Sequence, residues 1–168
     1  AIAMAAQSIM TNNADVAVGG GVESISLVQT KHKNTHRAVS KAAVEAAPKA
    51  YIQMIDTAEI VSNRYGVTRE AMDEYALQSQ QRTHAAQLAG AFDQEIAPLA
   101  STMMVKNKET GEISKMETLL EKDEGNRPST NLEGLSGLKP VRGPGAFITA
   151  GNASQLSDGA SVSVLMEA

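Results

Sequence analysis

The sequence contains no cysteine, which excludes disulfides, zinc thiolates and any thiol nucleophile of its own. Cysteine chemistry involving this chain must draw its sulfur from outside these residues. No apolar run approaches the roughly 20 residues needed to span a bilayer, so membrane insertion is not expected. The opening Ala1-Ile2-Ala3-Met4 lacks the basic region that precedes a signal-peptide core, which points to a cytoplasmic or organelle-matrix setting. There is no cationic excess either: the net charge of −4 argues against nonspecific nucleic-acid binding, though it leaves room for a local basic pocket facing an anionic ligand. No internal repeat is visible.

What is present is ordinary for a folded α/β protein. The 168 residues are 42% apolar and carry charges of both signs, enough for one domain or one domain with an attached lobe. The spacing of Ile2, Ala5, Ala6, Ile9 and Met10 predicts a helix that begins with no capping residue before it. Ser161 to Met166 reads as a strand that stops almost at the other terminus. Flanking sequence on both sides is therefore expected.

After the first helix, Asn12-Asn13 are a stop, and Asp15-Val16-Ala17-Val18 is short, apolar and β-branched, the pattern of a buried strand. Gly19-Gly20-Gly21 then predicts a tight turn out of the sheet. From Leu27 to Phe147 the chain changes character: a polar loop rich in Lys and His, two helices, then strands and turns. The first of these helices is expected to start in a capping box formed by Asp56 and Glu59. The second is expected to start near Thr68, to carry Met72, Tyr75, Ala76, Ser79 and Thr83 on one face, and to stop at Gly90. Asn107 to Glu112 is a hairpin turn signal, and Leu132 to Lys139 a short helical turn. Together these predict an α/β fold in which residues 1–26 and 148–168 are sheet-domain elements bracketing an inserted lobe over residues 27–147.

The run from Thr149 to Ala160 is the most informative stretch. Its small residues and two glycines let a ligand lie close to main chain, and the Ser154 hydroxyl with exposed amides suits an amide-rich ligand. On composition alone a tight loop between strands is the plainer reading.

The spelling goes further, because Thr149-Ala150-Gly151-Asn152-Ala153-Ser154-Gln155-Leu156-Ser157-Asp158-Gly159-Ala160 resembles the signature at the return from the lid lobe in the thiolase family. Gly19 to Ser26 is similar to that family's glycine-rich turn before the lobe, and Met54 to Glu59 to its first lobe helix. Tyr75 to Gln80 and Gly90 to Ile96 fit the next helix and its exit, so the resemblance covers essentially the whole chain in order. It implies a thiolase-like α/β fold: part of the N-terminal sheet domain with an inserted α/β lid lobe. It also implies a 3-ketoacyl-CoA thiolase activity, with coenzyme A (CoA) and acyl-CoA as substrates, no permanently bound cofactor, and a homodimer or homotetramer for the full-length protein.

In that family the nucleophilic cysteine lies just before the helix that opens this chain, where free amides and the helix dipole favour thiolate. The remaining catalytic groups lie beyond Ala168. The resemblance therefore assigns this chain no catalytic residue, and a noncatalytic CoA-binding or assembly module is the rival reading.

Binding residues carry over by position. Arg127 aligns with the arginine beside the nucleotide end of CoA. Ser154, Ala150 and Gly151 match the loop facing pantetheine, and Met54 a methionine near the acyl channel, where a soft side chain suits a flexible ligand. Gln53 stands where some relatives carry histidine, Gly134 where some carry a serine, and Arg142 in place of an aromatic near the adenine. These departures point to the degradative, longer-chain branch. Without the resemblance, Arg127 reads as a solvated arginine and Met54 as a core residue.

His32 and His36 have a spacing that could hold a metal on a helix, but Lys31, Lys33 and Arg37 surround them and no third ligand is evident. A solvated basic loop is the plainer reading; with Lys41, the same cluster could draw an anionic ligand or meet a neighbouring subunit.

Overall fold

A computed structural model describes residues 1–167. It comprises two compact units, one of residues 1–51 with the stretch from Gln155 onward, the other of residues 52–154. No helix among the described residues is long and apolar enough to cross a membrane.

In the first unit, helix α1 (Ile2–Met10) has no side-chain cap at Ala1, as the sequence predicts. It ends where Asn12 takes a positive φ of 55° and Thr11 Oγ1 donates to Gln7 O at 2.9 Å. Strand β1 (Val16–Glu23) follows, and the chain returns at its end as β4 (Gly159–Met166), the two forming an antiparallel ribbon from Val16 opposite Met166 to Glu23 opposite Gly159. Two short helices, α2 (Ile25–Val28) and α3 (Lys41–Ala46), complete the unit.

The triple glycine is not a turn. Gly19, Gly20 and Gly21 are strand residues paired with Ser163, Val162 and Ser161, and none has positive φ. Close approach explains them: a Cβ on Gly19 would lie 3.0 Å from Ile2 Cα, and one on Gly20 would lie 2.7 Å from Ser161 O. Missing side chains, rather than conformational freedom, let α1 and β4 crowd this strand. Nor is the strand buried on both faces. Alternation puts Gly19 under α1, whereas Val16, Val18, Val22, Val162, Val164 and Met166 share the opposite face, each more than half exposed. The ribbon has only two strands among the described residues.

The second unit contains α4 (Met54–Tyr65), closed by Gly66 at φ 65°, and the longer α5 (Arg69–Leu88), whose cap Thr68 accepts a hydrogen bond from Ala71 N at 3.2 Å. Gly90, at φ 68°, turns the chain out of α5. A hairpin of β2 (Leu99–Lys106) and β3 (Ile113–Leu120) closes through Asn107, whose Oδ1 accepts from Glu109 N and Thr110 N at 2.8 and 3.2 Å. The last element is α6 (Leu132–Ser136), capped by Asn131.

Leu135 and Ile148 are its buried apolar residues, joined by buried Ser62, Asp73 and Thr149. That polar share changes the expected face of α5. Met72, Ala76 and Thr83 are half-buried as expected, but Tyr75 and Ser79 are exposed, and Arg69, Asp73 and Gln80 join the inward side. Polar partners on irregular segments, not an apolar groove, select the side that turns in.

Candidate functional site

Of the run from Thr149 to Ala160 singled out for its small residues, the part up to Ser154 belongs to the second unit, where the loop 147–154 is held by hydrogen bonds to helix side chains. Glu59 on α4 accepts from Phe147 N (3.1 and 3.0 Å to its two oxygens) and from Ile148 N (2.9 Å). Glu59 therefore does not cap its own helix. Nor does Asp56, since α4 begins at Met54 with Gln53 as an N-cap whose side chain makes no capping bond, and Asp56 instead accepts Arg142 Nε and Nη2 at 2.6 and 3.0 Å. Both carboxylates satisfy distant donors, and a charged or otherwise unpaired group outbids a local helix amide that water can serve.

Asn152 folds the loop on itself. Its Oδ1 accepts from Thr149 N at 2.8 Å, and its Nδ2 donates to Phe147 O at 3.1 Å and to Asp73 Oδ1 at 3.0 Å. The other Asp73 oxygen takes Arg69 Nε at 2.7 Å, and Arg69 Nη2 continues to Leu135 O and Leu138 O at 2.7 and 3.2 Å. Thr149 is fully buried, and its hydroxyl accepts from Gly151 N at 3.2 Å. Gly151 sits where a Cβ would strike Leu135 Cδ2 at 2.5 Å and Leu138 Cδ1 at 2.6 Å. The consequence is a fixed main chain with Ala150, Ala153 and Ser154 on its exposed side.

Arg127 is exposed and is positioned through its backbone: Arg127 N donates to Gln80 Oε1 at 2.8 Å. The same oxygen accepts Asn126 Nδ2 at 2.9 Å, and Arg127 O accepts from Thr130 N and Oγ1 at 3.0 and 2.7 Å. Asn126 Oδ1 is buried with no partner among the described residues. Met54 opens α4 and is 89% exposed, so it is not a core residue. Gln53 Oε1 accepts Arg142 Nη2 at 2.7 Å, placing both in one cluster with Asp56. The hydrogen bond to Asp56 raises the Arg142 pKa above its ordinary value, and the charges of Asp56 and Glu59 act in the same direction.

The six residues expected to meet a ligand thus all lie in the second unit, on α4 or on segments tied to α4 and α5. Sequence reasoning missed Asp73, Gln80 and Arg69. The available signal was a carboxylate next to Met72 on a helical face otherwise assigned to the core, since a buried charge is rarer and more informative than a buried apolar residue.

In the first unit, Asp158 accepts Ser24 Oγ at 3.1 Å and Ser26 N at 2.9 Å, and also the Ser26 hydroxyl. These hydrogen bonds, the Ser26 hydroxyl first, hold its carboxyl below the usual range. His32 and His36 lie in successive exposed turns, not on one helix face, and no cluster of three metal-ligating side chains occurs among the described residues.

Comparison with known proteins agrees with this architecture. The family model for the thiolase N-terminal domain matches residues 1–168. The 3-ketoacyl-CoA thiolase of Bacillus subtilis is 39% identical over 166 residues, 99% of this chain and 42% of that protein. The human peroxisomal 3-ketoacyl-CoA thiolase is 39% identical over 167 residues, 98% of this chain and 38% of that protein. The chain thus spans about two fifths of the length of the curated relatives it matches. Among solved structures, the dimeric peroxisomal thiolase of Saccharomyces cerevisiae matches with a TM-score of 0.75 and 30% identity over 99% of this chain and 40% of that one. Human mitochondrial 3-ketoacyl-CoA thiolase in complex with CoA matches with a TM-score of 0.68 and 32% identity over 97% of this chain and 40% of that one. The chain belongs to the thiolase family, and its α/β elements are those of the thiolase N-terminal domain.

Proposed function

We propose that this chain is the CoA-handling portion of a 3-ketoacyl-CoA thiolase, an acyltransferase that cleaves a 3-ketoacyl-CoA with free CoA to acetyl-CoA and a shortened acyl-CoA. The observation that carries the reading is the 147–154 loop: a main chain immobilised by Glu59, Asp73 and Asn152, with only small side chains on its exposed side. Such a surface lets a slender, amide-bearing arm lie against backbone without a steric penalty. Ser154, Ala150 and Gly151 would face that arm, with Met54 and Gln53 at its flank. Arg127 supplies a permanent, exposed cation for the phosphorylated end.

The acyl group is carried as a cysteine thioester, and that sulfur comes from outside these 168 residues, which contain no cysteine. By itself the chain has CoA as its ligand and is inactive; thiolysis by the purified chain would overturn this. The relatives' names and the dimeric yeast structure support acyl-CoA and a second copy of the subunit, in a homodimer or homotetramer, as partners of the full-length protein. A cytoplasmic or organelle-matrix setting fits this assignment. The lid lobe is the inserted stretch over residues 27–147, between sheet elements 1–26 and 148–168. The lack of any thiol favours one second reading, a noncatalytic CoA-binding or assembly module.

Calorimetric titration of the chain with CoA tests binding. Saturable heat that weakens with Arg127→Ala supports the reading, whereas no heat and no thermal shift at millimolar CoA removes it. Activity on a 3-ketoacyl-CoA, regained when the cysteine-bearing remainder is supplied, separates enzyme from module.

A further inference from the structure

Helix α5 presents three polar side chains at intervals of seven: Asp73, Gln80 and Gln87. Each grips a segment with no regular structure of its own. Asp73 takes Asn152 at 3.0 Å, Gln80 takes Asn126 and Arg127 N at 2.9 and 2.8 Å, and Gln87 Nε2 donates to Asp123 O at 3.1 Å. Seven residues are almost two helical turns, so the three lie along one stripe that drifts by only about 20° per interval. Successive anchors are about 10 Å apart along the axis.

We propose that α5 is the positioning helix of the CoA site, with Gln80 fixing Arg127 at the nucleotide end and Asp73, through Asn152, fixing the 149–154 loop at the pantetheine end. This rests on the CoA-binding reading above and assigns residues that act through others. Arg127 lies in an irregular stretch and is exposed, and the hydrogen bonds that locate it are made by its backbone. Gln80 Oε1 is the α5 atom that locates it, accepting two donors from consecutive residues. A rigid helix then sets the separation between cation and loop, which the connection from 126 to 147, with the five-residue α6 as its regular element, would set less directly.

The test compares CoA with pantetheine, which lacks the nucleotide, as ligands of the chain. Gln80→Met removes the acceptor at nearly constant volume and should weaken CoA roughly fivefold, the effect of losing an anchoring hydrogen bond, while leaving pantetheine unchanged. Gln80→Glu keeps both acceptor roles and should restore CoA affinity. Asn152→Ala should weaken both ligands together. In an Arg127→Ala background, Gln80→Met should have no further effect on CoA, because Gln80 acts through Arg127.

If Gln80→Met unfolds the chain, the milder Gln80→Asn, which withdraws the acceptor by one methylene, serves in the same comparison. The proposal is overturned if either variant weakens the two ligands equally or leaves CoA unchanged, or if the effect persists without Arg127. Should the unsubstituted chain bind CoA while these results fail, only the positioning role falls; should it bind neither ligand, the functional reading falls with it.

Discussion

Asn152 Nδ2 and Asp73 Oδ1 are 3.0 Å apart across 79 positions of sequence, joining a loop of small residues to the second turn of the longest helix. Asp73 is 3% exposed, and its second oxygen is held by Arg69, so the carboxylate is both buried and doubly satisfied. Removing it strands a guanidinium and an amide in a site with little water.

Asp73→Ala should accordingly destabilise the second unit by about 2–4 kcal/mol, between the cost of an unsatisfied buried polar group and that of a broken buried ion pair. Asp73→Asn, which keeps one acceptor for Asn152, should cost distinctly less. Urea unfolding followed by far-UV circular dichroism measures both. Equal midpoints for the two variants would show that hydrogen bonding here contributes nothing.

Gly151 is a packing glycine. A Cβ there meets Leu135 Cδ2 at 2.5 Å and Leu138 Cδ1 at 2.6 Å, so Gly151→Ala should destabilise by about 1–3 kcal/mol, as overpacking does. Leu138 is 38% exposed and can be shortened cheaply, whereas Leu135 is core. Leu138→Ala should therefore relieve part of the Gly151→Ala cost, a positive coupling that thermal melts of the single and double variants would reveal.

Neighbouring glycines in β1 should behave oppositely. Gly20→Ala drives a Cβ to 2.7 Å from the Ser161 carbonyl and should lower the melting temperature. Gly21 has nothing within 4 Å of the same position, so Gly21→Ala should be neutral or stabilising by up to about 1 kcal/mol, because it only removes unfolded-chain freedom. Matching losses in the two variants would mean that the contact with Ser161 is not what requires glycine.

Asp158 links stability to acid. Its folded pKa lies below the ordinary value, chiefly through the Ser26 hydroxyl and Ser26 N–H, so the unfolded chain binds more protons as pH falls. Its contribution is complete above the ordinary carboxylate pKa near 4 and is lost as pH drops through the lower folded value. The stability difference between the unsubstituted chain and Asp158→Ala should be flat from neutral pH to about 5 and should shrink below 4. A difference that grows on acidification would reverse the assigned sign.

Much of the local structure was legible in the residues. Thr68 caps α5, Gly90 ends its exit in the left-handed region, Asn107 closes the hairpin and Asn12 stops α1, each by chemistry confined to a few neighbours. The errors arise where a residue has a distant partner. Asp56 and Glu59 have the spacing of a cap, yet Arg142 and the Phe147 and Ile148 amides take them. Gly19 to Gly21 have the composition of a turn, yet β4 and α1 make them a strand. Tyr75 shares the helical period of the inward face, yet it is exposed because Asp73 and Gln80 turn α5 toward polar partners.

By itself the sequence determined the kinds of element, most of their ends, the absence of a thiol and the small-residue run from Thr149 to Ala160, because each depends on propensity, capping or composition within a short length of chain. Only the tertiary structure decided which side chains hold that loop and Arg127 in place. A hydrogen bond between positions 73 and 152 leaves no periodic trace in the order of residues, and its energy exists only once the chain has brought the two together.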